Sequence, residues 1–193
     1  MNICIYGASS NLIDKSFITA TETLGEKLGK NGHTLIYGGS ANGLMGAAAR
    51  GFERSGAGIV GVAPSFFQVD GVLFEGCTEF IYTNTMRERK KIMEDRADAF
   101  IMTPGGVGTY DEFFEMLTLK QLGQHNKPIA VFNINGFYDK LVEMLQNAVE
   151  HKFMTKECMD LAPVFDNEDE LIKYLENYDG DTLDFSVLKK VDN

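Results

Sequence analysis

Short apolar runs alternate along the whole chain with longer segments of helical periodicity. The apolar runs, which predict strands, are residues 3–6, 34–37, 58–62, 80–82, 99–102 and 128–133. The segments that predict helices are residues 17–28, 44–52, a segment starting at Thr85, and residues 113–122, 137–149 and 168–178. This alternation is typical of a parallel sheet with crossover helices on both faces. The sequence therefore predicts an α/β fold with a Rossmann-like, doubly wound parallel sheet. We expect a single three-layer domain over residues 1–193, in which the tail after Asp179 matches no pattern.

The composition narrows the class of protein and its partners. Hydrophobic residues make up 44% of the 193 residues, which predicts a globular fold rather than disorder. No apolar stretch approaches the roughly 20 residues that span a membrane. The first lysine is Lys15, which argues against the basic region of a secretory signal. The net charge of −10 repels nucleic acid and anionic lipid. We therefore expect a cytoplasmic protein that binds neither nucleic acid nor membrane.

Cysteines and histidines are few and widely separated. The cysteines are Cys4, Cys77 and Cys158, and the histidines are His33, His125 and His151. No C-x-x-C pair occurs, so free or buried thiols in a reducing compartment are expected. The histidines show no metal-ligand spacing, and the sequence predicts no metal site.

A glycine-rich stretch, residues 104–109, follows the predicted strand 99–102 and leads into a helix. Three glycines in four positions let the backbone approach a ligand closely. A loop that ends at a helix N-terminus offers unpaired N–H groups and a positive dipole, which together favour a phosphate. Thr109 and Glu112 also match a capping box with Thr109 as N-cap. The capping box does not explain the glycines, and Thr109 can serve both purposes.

Two further turns, residues 7–10 and 38–46, also follow predicted strands. Because the carboxyl ends of parallel strands meet at one edge of the sheet, we expect all three turns to lie together. None has the G-x-G-x-x-G spacing, so the sequence does not predict a dinucleotide site. The turn 38–46 fits close helix–strand packing and ligand contact equally well, and Gly39 fits both. Residues 64–76 show little periodicity and predict a loop.

The helix that starts after Thr85 carries an arginine on an apolar stripe. Thr85 and Glu88 match a capping box. At 3.6 residues per turn, Met86, Arg89 and Met93 share one face. An arginine between two methionines must reach a partner or a cleft. A ligand-binding role and a buried structural ion pair remain open on this pattern.

These motifs, in this order, resemble the Lonely Guy family of cytokinin-activating phosphoribohydrolases, whose members often carry the older label lysine decarboxylase. The family pattern is G-G-x-x-x-G-L-M-G, M-x-x-R-K and P-G-G-x-G-T-x-x-E, which residues 38–46, 86–90 and 104–112 match. Residues 121–128 and 133–138 resemble the following family segments, and the resemblance extends over about residues 3–153. The chain departs from the family at Val107, at Tyr110-Asp111, at Leu119-Lys120, and in residues 68–78, which do not align cleanly.

The resemblance implies hydrolysis of the N-glycosidic bond of an AMP-type nucleoside 5′-monophosphate, including N6-modified cytokinin nucleotides, to free base and ribose 5-phosphate. It implies no cofactor and a homodimer with sites near the subunit interface. The catalytic Arg and Glu of the family fall on Arg89 and Glu112. The residues assigned to substrate binding are Gly39, Met86, Lys90, Gly105, Gly106, Val107, Gly108, Thr109, Asp111 and Thr118. The helix residues Phe113, Phe114, Met116 and Leu117 suit either a two-sided core helix or burial against a partner.

The chemistry assigns different roles to the two catalytic residues. Cleavage of a ribosyl C–N bond builds positive charge on the sugar, which a carboxylate such as Glu112 can stabilise while it activates water. Arg89 does not readily give up a proton, so we assign it to positioning and electrostatics. A base-exchanging ribosyltransferase and a non-catalytic nucleotide-binding protein are the alternatives. Decarboxylation is not expected, because no lysine lies in a recognisable setting for pyridoxal phosphate.

Overall fold

Seven parallel strands form one sheet in the computed structural model, which describes residues 1–180. The strands are β1 (Asn2–Tyr6), β2 (Thr34–Tyr37), β3 (Ile59–Pro64), β4 (Glu79–Thr83), β5 (Ala99–Met102), β6 (Ile129–Phe132) and β7 (Val164–Phe165). The helices are α1 (Lys15–Lys30), α2 (Gly43–Ser55), α3 (Met86–Arg96), α4 (Val107–Gln121), α5 (Asp139–Glu150) and α6 (Glu168–Glu176). Short 3₁₀ turns occupy Ser65–Phe67, Ile134–Gly136 and Lys156–Leu161.

The strand order reverses direction at β1. The order across the sheet is β4-β3-β2-β1-β5-β6-β7, so the chain builds outward from β1 on one side and then returns to place β5 on the other. In such sheets, the crevice for a ligand opens at the carboxyl ends of the two strands that flank the reversal. Here those strands are β1 and β5, which pair with Ile3 opposite Ala99.

Side chains beyond the ends of β1 and β5 fix this junction. The Thr103 hydroxyl donates to the carbonyl of Tyr6 at 2.8 Å, across 97 residues of sequence. The Tyr138 hydroxyl donates to the carbonyl of Thr103, also at 2.8 Å. Thr103 and Tyr138 are buried, so these bonds lie in a low-dielectric environment where a missing partner is costly. The junction therefore holds the two strand ends in a fixed relation below the crevice.

Alternate residues of β1 face opposite sides of the sheet, and both sides are covered. Ile3 and Ile5 pack in a core with side chains of α1, α2 and α6. Cys4 and Tyr6 pack in a second core with side chains of α3, α4 and α5. Burial on both faces explains why the strands read as continuous apolar runs. The three-layer, doubly wound arrangement predicted from the sequence is confirmed.

The structure differs from the sequence predictions at one helix start and in the connections. Helix α4 starts at Val107 rather than at residue 113, and β7 was not predicted because two residues carry no periodicity. The predicted loop 64–76 contains the 3₁₀ turn Ser65–Phe67. The tail from residue 181 lies outside the described residues, so the extension of the domain to residue 193 stays a prediction.

The capping box at the start of α3 is confirmed, with one change of partner. The Glu88 N–H donates to the Thr85 hydroxyl at 3.1 Å. The Glu88 carboxylate accepts from the Asn84 N–H at 2.8 Å, although the pattern predicted the N–H of the cap residue itself. Two N–H donors near the helix start are still paired, so the first turn that carries Arg89 is well defined.

Candidate active site

A cavity of about 570 Å³ opens at the carboxyl edge of β1, β2 and β5. Residues in the segments 7–9, 38–45, 67–73, 86–89 and 106–112 contribute to its lining. The volume falls in the range of pockets that enclose a ligand of nucleotide size, about 300–1,000 Å³. The three turns that the sequence predicted to meet at one edge therefore share one cavity.

Backbone hydrogen bonds hold these turns against one another. The Ala8 N–H donates to the carbonyl of Pro104 at 3.0 Å, and the Ala8 carbonyl accepts from the Leu44 N–H at 2.8 Å. The Asn11 side chain accepts from the Gly43 N–H at 2.9 Å, where Gly43 has a φ of +60° that favours glycine. The turn after β1 thus connects the glycine loop to the start of α2.

The glycine loop is the N-terminus of α4, and the predicted capping box at this point is wrong. Gly106 is the N-cap, and Thr109 is already the third helical residue. The first intrahelical bond runs from the Tyr110 N–H to the Gly106 carbonyl at 3.1 Å. The N–H groups of Val107, Gly108 and Thr109 precede that bond, so they are the donors that a helix start leaves available. All three residues line the cavity.

The three glycines of the loop meet different surroundings. A Cβ at Gly105 would collide with the Thr109 hydroxyl, so Gly105 is required by close packing. A Cβ at Gly106 or at Gly108 would meet nothing within 4 Å. The fold therefore places no steric demand on Gly106 and Gly108, and both face the cavity. Their lack of a side chain keeps the helix N-terminus open to a ligand.

Arg89 and Glu112 form an ion pair on the cavity wall. Nη1 of Arg89 lies 3.1 Å from Oε1 of Glu112, and the two side chains are 9% and 11% exposed. The Arg89 Nε donates to the carbonyl of Val62 at 3.1 Å. A Cβ at Gly38 would collide with Arg89 Nη2, which explains glycine at that position. The ion pair that the methionine stripe suggested is present, and because both members line the cavity, it also faces any bound ligand.

The surroundings of Glu112 raise the pKa of its carboxyl group, with opposing contributions. Burial raises the pKa of Glu112 above its ordinary value, and the Arg89 guanidinium acts in the opposite direction. Smaller effects come from Asp111, which raises the pKa, and from Lys90, which lowers it. A carboxyl group held between desolvation and a paired cation is the kind of group that enzymes use for acid–base and electrostatic work.

Most of the residues predicted to bind substrate lie on the cavity wall, and four do not. Met86, Gly106, Val107, Gly108, Thr109 and Asp111 line the cavity. Gly105 lies behind Thr109, and Gly39, with a φ of +77°, packs against the Phe80 ring. Lys90 and Thr118 lie instead at a separate surface depression on α4. The roles of all ten residues in substrate binding stay predictions.

Lys90 is engaged by two carboxylates of α4. Its Nζ lies 3.0 Å from Oδ2 of Asp111 and 2.9 Å from Oε2 of Glu115. Hydrogen bonds to Glu115 and Asp111 raise its pKa, although desolvation acts against them. Lys90 therefore ties α3 to α4 beside the buried ion pair.

Sequence reasoning missed the cavity wall formed by the segment between β3 and β4. Phe67, Val72 and Leu73 from this segment line the cavity, and so does Asn42. The segment showed no periodicity that would have placed it. The paired aromatics Phe66 and Phe67 and the apolar run 72–74 were the signals in this loop that could have identified it.

Three further observations concern the thiols, metal binding and membrane spans. Cys4, Cys77 and Cys158 are free, and Cys4 and Cys158 are buried, as predicted. Within residues 1–180, no group of three or more His, Cys, Asp or Glu side chains is arranged to hold a metal ion. No helix in the same range has the length and apolar character needed to cross a bilayer.

Solved structures with the same fold include two that are connected with the molybdenum cofactor. The molybdenum cofactor carrier protein of Chlamydomonas reinhardtii is 19% identical with a TM-score of 0.68, over 92% of this chain and 98% of that chain. The molybdenum cofactor binding protein of Rippkaea orientalis is 18% identical with a TM-score of 0.68, over 91% and 94%. At such identity the likeness concerns the fold alone, and it confirms the predicted fold class.

Curated proteins provide more similar sequences. The chain is 34% identical over 176 residues to cytokinin riboside 5′-monophosphate phosphoribohydrolase LOG2 of Arabidopsis thaliana, which covers 91% of this chain and 83% of that protein. It is 35% identical to the phosphoribohydrolase LOG of Oryza sativa subsp. japonica, over 91% and 73%. A family model described as "Possible lysine decarboxylase" matches residues 45–175. This chain therefore belongs to that family, which is the Lonely Guy family that its three motifs resemble.

Proposed function

We propose that this chain hydrolyses the N-glycosidic bond of an AMP-type nucleoside 5′-monophosphate, cytokinin nucleotides included, and releases the free base and ribose 5-phosphate. The observation that carries the proposal is that the buried Arg89–Glu112 pair and the open N-terminus of α4 line one cavity. The phosphoribohydrolase activity named for the relatives of Arabidopsis thaliana and Oryza sativa supports the same reaction class.

The phosphate would bind at the start of α4. The N–H groups of Val107, Gly108 and Thr109, which precede the first intrahelical bond, would donate to the phosphate, and the helix dipole adds favourable potential. Local donors are needed because the chain carries a net charge of −10 that opposes an anionic substrate. A phosphate held at this end is remote from the reacting bond. Its binding energy orients the ribose for reaction.

Glu112 would act at the anomeric carbon. As the C–N bond breaks, positive charge develops on the ribose, and an ionised carboxylate beside it lowers the energy of that charge. The same carboxylate can take a proton from the water whose oxygen adds to the sugar. Water is the only co-substrate of the reaction, and the departing base takes up a proton.

Arg89 would hold Glu112 and stabilise the departing base. The guanidinium is fixed by the Val62 carbonyl and packs against Gly38. It keeps its proton, so its contribution is charge and orientation rather than acid catalysis. By opposing the effect of burial on Glu112, it also keeps more of that carboxyl ionised.

A homodimer through the exposed face of α4 completes the proposal. Val107 is 85% exposed at the helix start, and Tyr110 stacks on Phe114 along the same side, with ring centroids 6.4 Å apart. Tyr110, Phe114, Thr118 and Leu119 border a depression of about 530 Å³. Phe113, Met116 and Leu117, in contrast, are buried in the core of the subunit. The free thiols support a reducing, cytoplasmic location.

The dimer predicts a specific response to charge on this face. Replacing Val107 by Asp would put a carboxylate among apolar groups at the interface, so the variant should elute as a monomer. Size-exclusion chromatography with light scattering measures the mass, and Met144→Asp on the exposed side of α5 is the matched control. A monomeric parent protein would contradict the dimer.

Glu112→Gln should reduce turnover of AMP by about 10²–10⁴-fold, because it removes the charge and the base while it keeps an oxygen for Arg89. Base release is measured by chromatography, circular dichroism checks the fold, and calorimetry tests that AMP still binds. Glu143→Gln, an exposed glutamate of α5, should retain full activity. Unchanged turnover by Glu112→Gln would remove the assignment.

The same assay separates the alternatives. Adding a second free base should yield no new nucleotide. Its appearance would indicate a base-exchanging transferase with Glu112 as nucleophile. Binding of AMP by the parent protein without any base release would indicate a nucleotide-binding protein that is not an enzyme.

Gly108→Ala should leave the melting temperature unchanged or higher, because the added Cβ meets open space and alanine favours the helix. It should raise the KM for AMP, since the methyl group stands where the phosphate approaches. Adenosine, which lacks the phosphate, should be a poor substrate of the parent protein and should respond little to the substitution. Equal turnover of AMP and adenosine by the parent protein would contradict the phosphate site.

Arg89→Met should move the acid limb of the pH–rate profile to higher pH. The pKa of Glu112 is raised by burial and held down by Arg89, so loss of that cation raises it further. Activity that needs ionised Glu112 is present above this pKa and is lost as the pH falls through it. Titration of the glutamate carboxyls by ¹³C NMR measures the shift even when turnover is low. Lys90→Met should raise the pKa of Glu112 by less than Arg89→Met does. A larger rise in Lys90→Met than in Arg89→Met would refute this account.

A further inference from the structure

The cavity has an apolar side that the reaction chemistry does not use. Phe67, Val72 and Leu73, which we call the apolar wall, line it. The polar side contains the start of α4 and the Arg89–Glu112 pair. If the phosphate and the anomeric carbon are held on the polar side, the base extends toward the remaining lining. The apolar wall is therefore the surface that the base meets.

The apolar wall is anchored although it belongs to a connection between strands. The Ala41 N–H donates to the Val72 carbonyl, and the Phe74 N–H donates to the Gly39 carbonyl, both at 2.9 Å. Ser40 and Leu73 form an antiparallel bridge between these two bonds. The segment is thus paired, residue by residue, with the turn after β2.

Side chains anchor the two ends of the same segment. The Ser65 hydroxyl donates to the Thr83 carbonyl at the end of β4, at 3.2 Å. The Asn42 amide nitrogen donates to the Gly71 carbonyl at 3.3 Å, and its oxygen accepts from the Asn11 amide at 2.7 Å. Asn42 lines the cavity, but its side-chain amide forms hydrogen bonds with Gly71 and Asn11, so it supports the apolar wall.

Phe67 of the cavity lining and its neighbour Phe66 both remain accessible. Phe66 is 61% exposed and Phe67 is 40% exposed, and their ring centroids lie 4.7 Å apart. Exposed phenylalanine that borders a cavity and packs on a second ring offers an aromatic face to a ligand. Nucleobases stack well on such faces, because every base has a π-face.

We propose that Phe67 determines base specificity by stacking on the purine ring, with Phe66 supporting it from the solvent side. This inference rests on the proposed function for the orientation of the nucleotide in the cavity. Stacking rewards the larger ring area of a purine over a pyrimidine and tolerates apolar substituents at its edge. Phe67 therefore selects which base is bound, whereas Glu112 and the α4 N-terminus act on the ribose phosphate.

Binding of two ligands that differ only by the base tests the role of Phe67. AMP carries the base and ribose 5-phosphate does not. Phe67→Ala should therefore weaken the binding of AMP at least tenfold and the binding of ribose 5-phosphate less than twofold. Calorimetry in a Glu112→Gln background measures both without turnover. Phe67→Leu keeps an apolar side chain but has no π-face, so it should also bind AMP more weakly. Phe67→Tyr keeps the π-face and should bind AMP as tightly as the parent protein does. Phe153→Ala, at a phenylalanine that is 85% exposed and lies outside the cavity lining, is the control.

Turnover gives the second readout. In the protein with Glu112 intact, the ratio of kcat/KM for AMP over CMP should fall toward one in Phe67→Ala, mainly through KM for AMP. The inference would be overturned if Phe67→Ala lost AMP and ribose 5-phosphate affinity equally, or if Phe67→Leu kept full AMP affinity. An unchanged ratio of kcat/KM for AMP over CMP in Phe67→Ala would also overturn it. If the parent protein binds AMP without releasing base, the proposed function fails. The binding comparison then still decides the role of Phe67. If the parent protein binds neither ligand, both are overturned.

Discussion

The ion pair between Arg89 and Glu112 joins α3 to α4 across the carboxyl edge of the sheet. Two buried charges are costly to desolvate, and removing one partner of such a pair typically destabilises a protein by about 3–5 kcal/mol. Three features depend on this pair. Gly38 leaves room for the guanidinium, the Val62 carbonyl accepts a hydrogen bond from Nε, and the second turn of α4 must present Glu112 inward. The arrangement that positions the carboxylate is thus also part of what holds the helices in place.

The sides of α4 have different surroundings because of the orientation of the helix. One side of the helix enters the core through Phe113, Met116 and Leu117. Its first turn faces the cavity, and the side with Tyr110 and Phe114 is only partly covered by the subunit. A single helix thus contributes to packing, to the candidate site and to the proposed subunit contact. Its amphipathicity is weak because apolar residues lie both on the core side and on the side with Tyr110 and Phe114, while the polar residues Thr109 and Glu112 are buried.

The strands and the meeting of the three turns were predictable because their causes are local. Burial on both faces makes each strand a continuous apolar run, and parallel strands bring their carboxyl ends together. Arg89 was predictable as a residue that must reach a partner or a cleft, because it shares a helix face with two methionines, whereas Glu112 was identified by the family motif. The start of α4 was predicted wrongly, since Thr109 and Glu112 match a capping box whose spacing alone does not reveal that Gly106 already caps the helix.

The apolar wall could not be predicted, because its position depends on contacts far along the chain. Val72 and Phe74 are placed by backbone bonds to Ala41 and Gly39, and no periodicity records such pairing. The same holds for Lys90, whose motif implied substrate contact but whose ammonium group is engaged by Asp111 and Glu115. Sequence patterns identified the candidate catalytic groups better than the surfaces that surround them.

The junction of β1 with β5 also has a kinetic consequence. Thr103 bonds to Tyr6 across 97 residues, and the central strand pairing is equally distant in sequence. Closing so long a loop costs entropy before any contact repays it, so pairing of this kind slows folding. During synthesis the first three strands emerge well before the fifth. The candidate site therefore has no partial form. Its two halves remain separate until more than half of the chain has left the ribosome and β5 has joined β1.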